Sequence, residues 1–457
     1  MDLSLALSRE ARWSDDALLC LRAAPGCTVL RAVTLLGRGG DSVTLDISKA
    51  LGTSQWPKAG ASVGAFGYQT TGGIPNAAGT LKTPPRMHLA AGMGLLLHPT
   101  SAASLSTLSL GGHFLGDEGV AGIVNACCSC PLSSLDLASC GASQRSVAAL
   151  AALLRNSRTL RSLNLSGSFL GEAGVSDLMD GLQRNRYSDL QVLNLSDACV
   201  DSAGIQLIAN YLGCAGCNQQ SGLTSLDLSR NWIGLAGAMA IESALSVNRS
   251  LRSLNVKQSQ IPKEGFAAIG QATASNAGCR LAAFTCDLFS LTEDATSLDL
   301  RNRCLTFEGA FLLAQCLPRH THLRHLDVSR AYLGGEQGSA VLARMTALSP
   351  SLEMVVMDGE PIPLWPLKSR GGEEQLDLSS KRLGFASAQV IAAVLRTNLT
   401  LRTLSLRRNA LGNLGAFEIA SALKANPTLT ELDLRENGRI QPLTAKRLRQ
   451  LVVSLAI

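Results

Sequence analysis

From Leu105 onward the chain repeats one phrase. Residues 401–428 read LRTLSLRRNALGNLGAFEIASALKANPT, and at Leu429 the phrase begins again as LTELDLRENG. Aligned on L-x-x-L-x-L, units start at Leu105, Leu132, Leu160, Leu190, Leu223, Leu251, Leu281, Ala295, Leu323, Leu352, Glu373, Leu401 and Leu429, and most intervals are 27 to 30 residues. A fixed period of this length leaves few folds open. Each unit is one supersecondary element that buries its apolar face only against its neighbours, so the product is a stacked array.

Within a unit, L-x-x-L-x-L predicts a short strand whose leucines point one way by the two-residue period. LGDEG at Leu115, LGEAG at Leu170 and LGNLG at Leu411 predict a turn leading into a helix. Ala416, Ile419, Ala420 and Leu423 then recur at helical spacing. Strands pack about 4.8 Å apart and helices about 8 to 10 Å, so the stack is expected to curve into a horseshoe with the strands inside. Only 4% of the residues are aromatic although 46% are hydrophobic, and a core of leucine and alanine suits a repeated layer.

The phrase LxxLxLxxNxLGxxGAxxLAxxLxxNxx resembles the leucine-rich repeat family, in its ribonuclease-inhibitor-like branch, which also includes Ran GTPase-activating proteins and the sensor regions of NOD-like receptors. The resemblance covers residues 105–440 clearly and 29–104 weakly. It implies an α/β leucine-rich repeat solenoid, with a parallel sheet on the concave face and helices on the convex face. In this family an Asn after the strand satisfies backbone groups in the bend. Here Asn231, Asn409 and Asn437 keep it, and Cys140, Ser168 and Ser259 offer a weaker hydrogen-bonding group. Ala198 and Ala331 offer none, and looser bends are expected where His113, Arg303 and Lys381 stand.

The units at Leu281 (LAAFTCDLFSLTED) and Leu352 (LEMVVMDGEPIPLWPLKSRGG) hold a strand but have no room for a full helix, which predicts notches near 281–294 and 352–372. Residues 1–51 are expected to hold a capping helix over 13–24 and the first strands. Residues 52–85, rich in Gly, Pro and Thr, predict a flexible insertion. The array over 86–440 opens with a short helix near 86–98, and a final helix is expected over 441–457.

Catalysis finds little support. The sequence contains no phosphate-binding loop, no G-x-S-x-G, no H-E-x-x-H and no dinucleotide fingerprint in its strand context. Two C-x-x-C pairs, Cys127–Cys130 and Cys214–Cys217, lie three units apart, roughly 15 Å. A shared zinc site with all sulfurs at about 2.3 Å is thus excluded. His320, His322 and His325 in RHTHLRH read as surface histidines. The expectation is no enzyme, no metal and no cofactor.

MDLSLALSREAR carries Asp2 where a secretory signal has a basic residue. The thirteen scattered cysteines suit reduced thiols, and a cytoplasmic setting is expected. The formal net charge is +6, and from Pro361 onward fourteen Lys and Arg stand against seven Asp and Glu. A basic end favours an acidic partner surface. The expected partner is a protein, because the acidic strand column repels nucleic-acid phosphates.

That column is the residue between the last two leucines of each strand: Asp299, Asp327, Asp377 and Asp433 among others. A second column follows, with Arg301, Arg407 and Arg435, flanked by Arg330 and Arg408. Arg324 and Arg402 open their strands, and His325 stands on the strand face. In the family the resemblance points to, the concave face is the usual binding surface, so these twelve residues are the expected contact surface, with Trp365 of PIPLWPLK as a candidate anchor. The expected function is a non-enzymatic scaffold, in a cytoskeletal or ciliary assembly. The alternative is a GTPase-activating protein of the Ran type, although that family usually carries an acidic tail after its repeats.

Overall fold

The computed structural model describes residues 32–37, 42–46, 105–112, 115–128, 131–213, 222–369, 372–438, 440–451 and 453–457. The expected helices at 13–24 and 86–98 and the insertion at 52–85 lie outside the described residues. So do His113, Cys130, Cys214 and Cys217. The chain divides into two compact units, Met1–Trp232 and Ile233–Ile457, each built of strand–loop–helix layers.

In the first unit β1 (Ala32–Gly37) runs antiparallel to both β2 (Ser42–Asp46) and β3 (Leu105–Ser109). From β3 the strands are parallel: β4 (Ser134–Asp136), β5 (Ser162–Asn164), β6 (Val192–Asn194) and β7 (Ser225–Asp227). Helices α1 (Gly116–Cys127), α2 (Gln144–Asn156), α3 (Gly171–Arg184) and α4 (Ser202–Gly213) alternate with them. The pairing is in register with the repeat: Ser134 lies opposite Ser162, Leu135 opposite Leu163 and Asp136 opposite Asn164. Each position of the phrase therefore becomes a column. Leu135, Leu163, Leu193 and Leu226 are at most 2% exposed. Full burial of one leucine side chain is worth about 1.5 to 3 kcal/mol, and that gain, repeated per layer, holds three-residue strands together.

The second unit continues with α5 (Gly234–Leu245), β8 (Ser253–Asn255), α6 (Lys263–Ser275) and β9 (Ala283–Thr285), the last two strands parallel. The short segment after Leu281 turns back as β10 (Ser290–Leu291), antiparallel to β9. A new parallel set follows: β11 (Ser297–Asp299), α7 (Thr306–Cys316), β12 (His325–Asp327), α8 (Glu336–Leu348) and β13 (Met354–Val356). The short segment after Leu352 also turns back, as β14 (Ile362–Pro363), and leads into the single turn α9 (Leu364–Leu367). The last set is β15 (Gln375–Asp377), α10 (Phe385–Leu395), β16 (Thr403–Ser405), α11 (Gly412–Leu423) and β17 (Glu431–Asp433). In both truncated layers an antiparallel hairpin thus follows the strand directly.

The C-terminal segment differs from expectation. Helix α12 stops early (Pro442–Arg449), and β18 (Ser454–Ala456) pairs parallel with β17. The apolar run LVVSLAI suits a continuing helix by composition, but β17 offers an open sheet edge, and pairing there satisfies the backbone groups of β18.

The bends explain why departures from the Asn pattern are tolerated. Asn231 Oδ1 accepts the amides of Ala198 and Val200 at 3.1 and 3.0 Å, reaching back one layer. Asn409 does the same for Lys381 and Leu383, both at 3.0 Å. An alanine or lysine at this position is thus served by the next layer's amide. The Cys140 thiol donates to Leu110 O at 3.1 Å, whereas the buried Ser168 hydroxyl has no hydrogen-bond partner. The bends at Arg303 and Lys381 are no looser than the rest. The preceding residues Asn302 and Ser380 keep φ 58° and 56°, matching 59° at Arg230 and 58° at Arg408. The long side chains point outward, so the backbone needs no change.

A second amide ladder runs along the helix ends. Asn276 Nδ2 donates to the carbonyls of Leu245 and Asn248 at 2.8 and 2.7 Å, and Asn426 Nδ2 to those of Leu395 and Asn398 at 2.7 and 3.1 Å. His320 takes this role after α7. Its Nε2 donates to Thr292 O at 2.8 Å, and its Nδ1 accepts the Leu323 amide at 2.9 Å. His320 is only 1% exposed, which corrects its reading as a surface histidine: the ring is a structural tie.

Candidate functional site

The strand columns have two tasks, and the first is internal. Asp299 Oδ1 accepts the Arg301 amide at 3.0 Å, Asp327 Oδ1 the Ser329 amide at 2.9 Å, Asp377 Oδ1 the Ser379 amide at 2.8 Å and Asp433 Oδ1 the Arg435 amide at 3.0 Å. Asn164 and Asn194 close the first unit's strands in the same way. Asp or Asn at this position caps the strand end against its own turn. The acidic ladder is partly a folding device.

The second task falls to what faces solvent. Arg301 grips Asp299, with Nη2 to Oδ2 at 2.7 Å, and its Nε stands 3.7 Å from Asp327 Oδ2. Arg435 grips Asp433 at 2.7 Å. Arg407 and Arg408 converge on Glu436, Arg408 at 2.7 Å. Arg324 pairs with Glu353, and Arg402 with Glu374 at 3.5 Å. Hydrogen bonds from these guanidiniums hold the carboxyls of Asp299, Asp433 and Glu436 below the usual range, and the carboxylates raise Arg301, Arg408 and Arg435. The Ser379 hydroxyl lowers Asp377 in the same sense. These pairs are exposed and screened by solvent, so each contributes little to stability. Their effect is to order the charges.

Arg330 is exposed, has φ 56° and makes no ion pair among the described residues. His325 is exposed on β12. Trp365 sits on α9 with 46% exposure between the buried Leu364 and Leu367.

One depression on the strand face of the second unit, about 850 Å³, gathers four of the expected residues, Asp299, Arg301, Asp327 and Arg330. It also draws in Val356 of the strand column, and with it Arg303, Arg382 and the hairpin loop Asp358, Gly359, Glu360 and Pro361, residues that the columns did not mark as a surface. The signal for the hairpin loop was the truncated unit itself: the chain that replaces a helix there is a loop that folds back beside the strands. Trp365 is not among the lining residues. The other expected residues, Arg324, His325, Asp377, Arg402, Arg407, Arg408, Asp433 and Arg435, do not line this depression either.

Among the described residues no three His, Cys, Asp or Glu side chains converge as a metal site. Cys127 is buried at the end of α1, and Cys128 donates to Val124 O at 3.4 Å. Burial pushes the thiols of Cys286 and Cys316 up to about 11 and about 12, far from the range of a reactive thiolate. No described helix is long and apolar enough to cross a membrane.

The sequence pattern of the leucine-rich repeat family matches residues 222–241, 397–420 and 425–443. The ribonuclease inhibitor of Sus scrofa is 31% identical over 235 residues, which cover 50% of this chain and 46% of that protein. NACHT, LRR and PYD domains-containing protein 5 of Homo sapiens is 26% identical over 317 residues, covering 67% of this chain and 25% of that protein. The chain therefore spans about half the length of the first relative and a quarter of the second. Among solved structures, an internalin from Listeria monocytogenes aligns over 81% of this chain and 94% of its own, with 16% identity and a TM-score of 0.33. With the repeat phrase, the family pattern and the ribonuclease inhibitor and NACHT, LRR and PYD relatives in agreement, the chain is a leucine-rich repeat protein of the ribonuclease-inhibitor-like branch.

Proposed function

We propose that this chain is a non-catalytic scaffold that binds a protein partner, bearing an acidic patch, through its strand face. Leucine-rich repeat proteins are generally protein-interaction scaffolds. The observation that carries the reading here is the set of exposed, pre-ordered arginines just beyond the in-register strands β16 and β17, where Arg407 and Arg408 converge on Glu436 and Arg435 grips Asp433. Ordered side chains lose less rotamer freedom on binding, and a charge pattern steers approach and selects among partners. The basic excess after Pro361 sets the sign of the partner, as the acidic tails of a cytoskeletal or ciliary assembly would satisfy.

The test is a quantitative affinity pull-down comparing wild type with the triple variant Arg407→Glu, Arg408→Glu and Arg435→Glu, both checked for fold by circular dichroism. Arg344→Glu, on exposed α8, is the control. Loss of one protein set with the triple variant and its retention by the control is the expected result. Identical partners for all three proteins would refute strand-face binding.

A further inference from the structure

The 850 Å³ depression contains an imbalance in how its charges are used. Every carboxylate on its wall has an internal partner. Asp358 accepts the amides of Gly384, Ala386 and Ser387 at 2.9, 2.9 and 3.2 Å and the Ser387 hydroxyl besides. Asp299 is held by the fork of Arg301, Asp327 by Ser329 and Arg301, and Glu360 stands 4.0 Å from Lys381 Nζ. Of the four arginines on the wall only Arg301 is engaged in the same way. Arg303, Arg330 and Arg382 are exposed and make no ion pair among the described residues. Three guanidiniums thus face one depression with donors to spare, while its acids are engaged.

The strand column that elsewhere carries Asp, Asn, Ser or Thr carries Val356 in this layer, so β13 adds no carboxylate to the wall. The hairpin loop that replaces a helix in this layer walls one side. Its Glu360 amide donates to Lys381 O at 2.8 Å, which ties it to the neighbouring bend beside Arg382. Arg382 has φ 56°, as has Arg330. Planar guanidiniums with free donors match the two oxygens of a carboxylate or the three of a phosphoryl group.

We propose that this depression seats one anionic side chain of the protein partner, a carboxylate or a phosphorylated hydroxyl, held between Arg330 and Arg382. The inference rests on the strand face being the protein-binding surface, and it locates the point of selectivity in the truncated layer.

The test uses fluorescence anisotropy of the full chain with three labelled peptides of equal length: a glutamate-rich peptide, a serine peptide with one phosphoserine, and the same serine peptide without phosphate. Wild type is expected to bind at least one anionic peptide at least tenfold more tightly than the neutral one. The double variant Arg330→Glu and Arg382→Glu should lose at least tenfold of that binding, whereas Arg344→Glu keeps it. Preference between the two anionic peptides identifies carboxylate or phosphate as the group seated. Equal binding by the double variant, or no preference for anionic peptides in wild type, overturns the proposal. Both variants lie on exposed positions, and circular dichroism checks that the fold is kept. If the double variant loses nothing while the Arg407, Arg408 and Arg435 variant loses its partner, the seat fails and strand-face binding stands. If neither loses anything, both fail.

Discussion

Asp358, in the β13–β14 hairpin, caps a helix that begins 27 residues later: its carboxylate accepts the hydroxyl and the amide of Ser387, with the amides of Gly384 and Ala386 alongside. The first turn of α10 has no capping side chain of its own, since its N-cap residue is Gly384. The truncated layer supplies the missing group. Asp358→Ala should lower stability by about 1 to 2 kcal/mol, the usual cost of losing an N-cap. Urea unfolding measures it, and hydrogen exchange should rise first at residues 384–388.

His320 performs the task that Asn performs at positions 276, 398 and 426. With Nδ1 accepting and Nε2 donating, the ring bridges the same loop that an amide bridges elsewhere. His320→Asn should therefore stay within about 1 kcal/mol of wild type, whereas His320→Ala should cost about 2 to 3 kcal/mol by leaving a buried amide and carbonyl unpaired. Equal losses from both substitutions would mean that the site needs the ring's volume and not its hydrogen bonds.

The Asn position of the bend separates satisfied from unsatisfied polar groups within one protein. Asn409 makes two bonds of 2.8 Å to Leu378 O and Leu406 O besides its two accepted amides. Asn409→Ala should cost about 2 to 4 kcal/mol. Ser168 occupies the same position with an unpartnered buried hydroxyl, so Ser168→Ala should be neutral within about 0.5 kcal/mol or slightly stabilising. Paired thermal melts decide between the two outcomes.

Acid sensitivity follows from the exposed charge clusters. Hydrogen bonds from Arg408 and Arg407 hold Glu436 below its ordinary value of 4.5. A carboxylate with a depressed folded-state pKa stabilises the native state above the unfolded value, and this contribution is lost as the pH falls through the folded one. Glu436→Gln should therefore melt slightly earlier than wild type near neutral pH, and the gap should close below pH 4.5. Because the cluster is exposed, added salt should narrow the neutral-pH gap as well. A gap that is unchanged with pH would rule out the pairing as its source.

Much of this architecture was legible before any coordinates. The spacing of Leu160, Leu163 and Leu165 requires a strand with one buried side, and a period near 28 residues requires neighbours to bury it. The truncated units at Leu281 and Leu352 were visible because a strand phrase followed too soon to leave room for a helix. These features are local, and chain length and apolar spacing are enough to determine them. Hydrogen bonding between layers was not legible, because its partners lie about one unit apart in sequence and meet only once the register is set. Only the tertiary structure could show that Asn231 serves the bend of Ala198, that His320 stands in for an asparagine, and that Asp358 caps the helix at Ser387. The sequence displayed the charges of Arg330 and Arg382 but not their freedom. Which arginine keeps its donors for a partner depends on where every neighbouring carboxylate has turned, and stacking alone decides that.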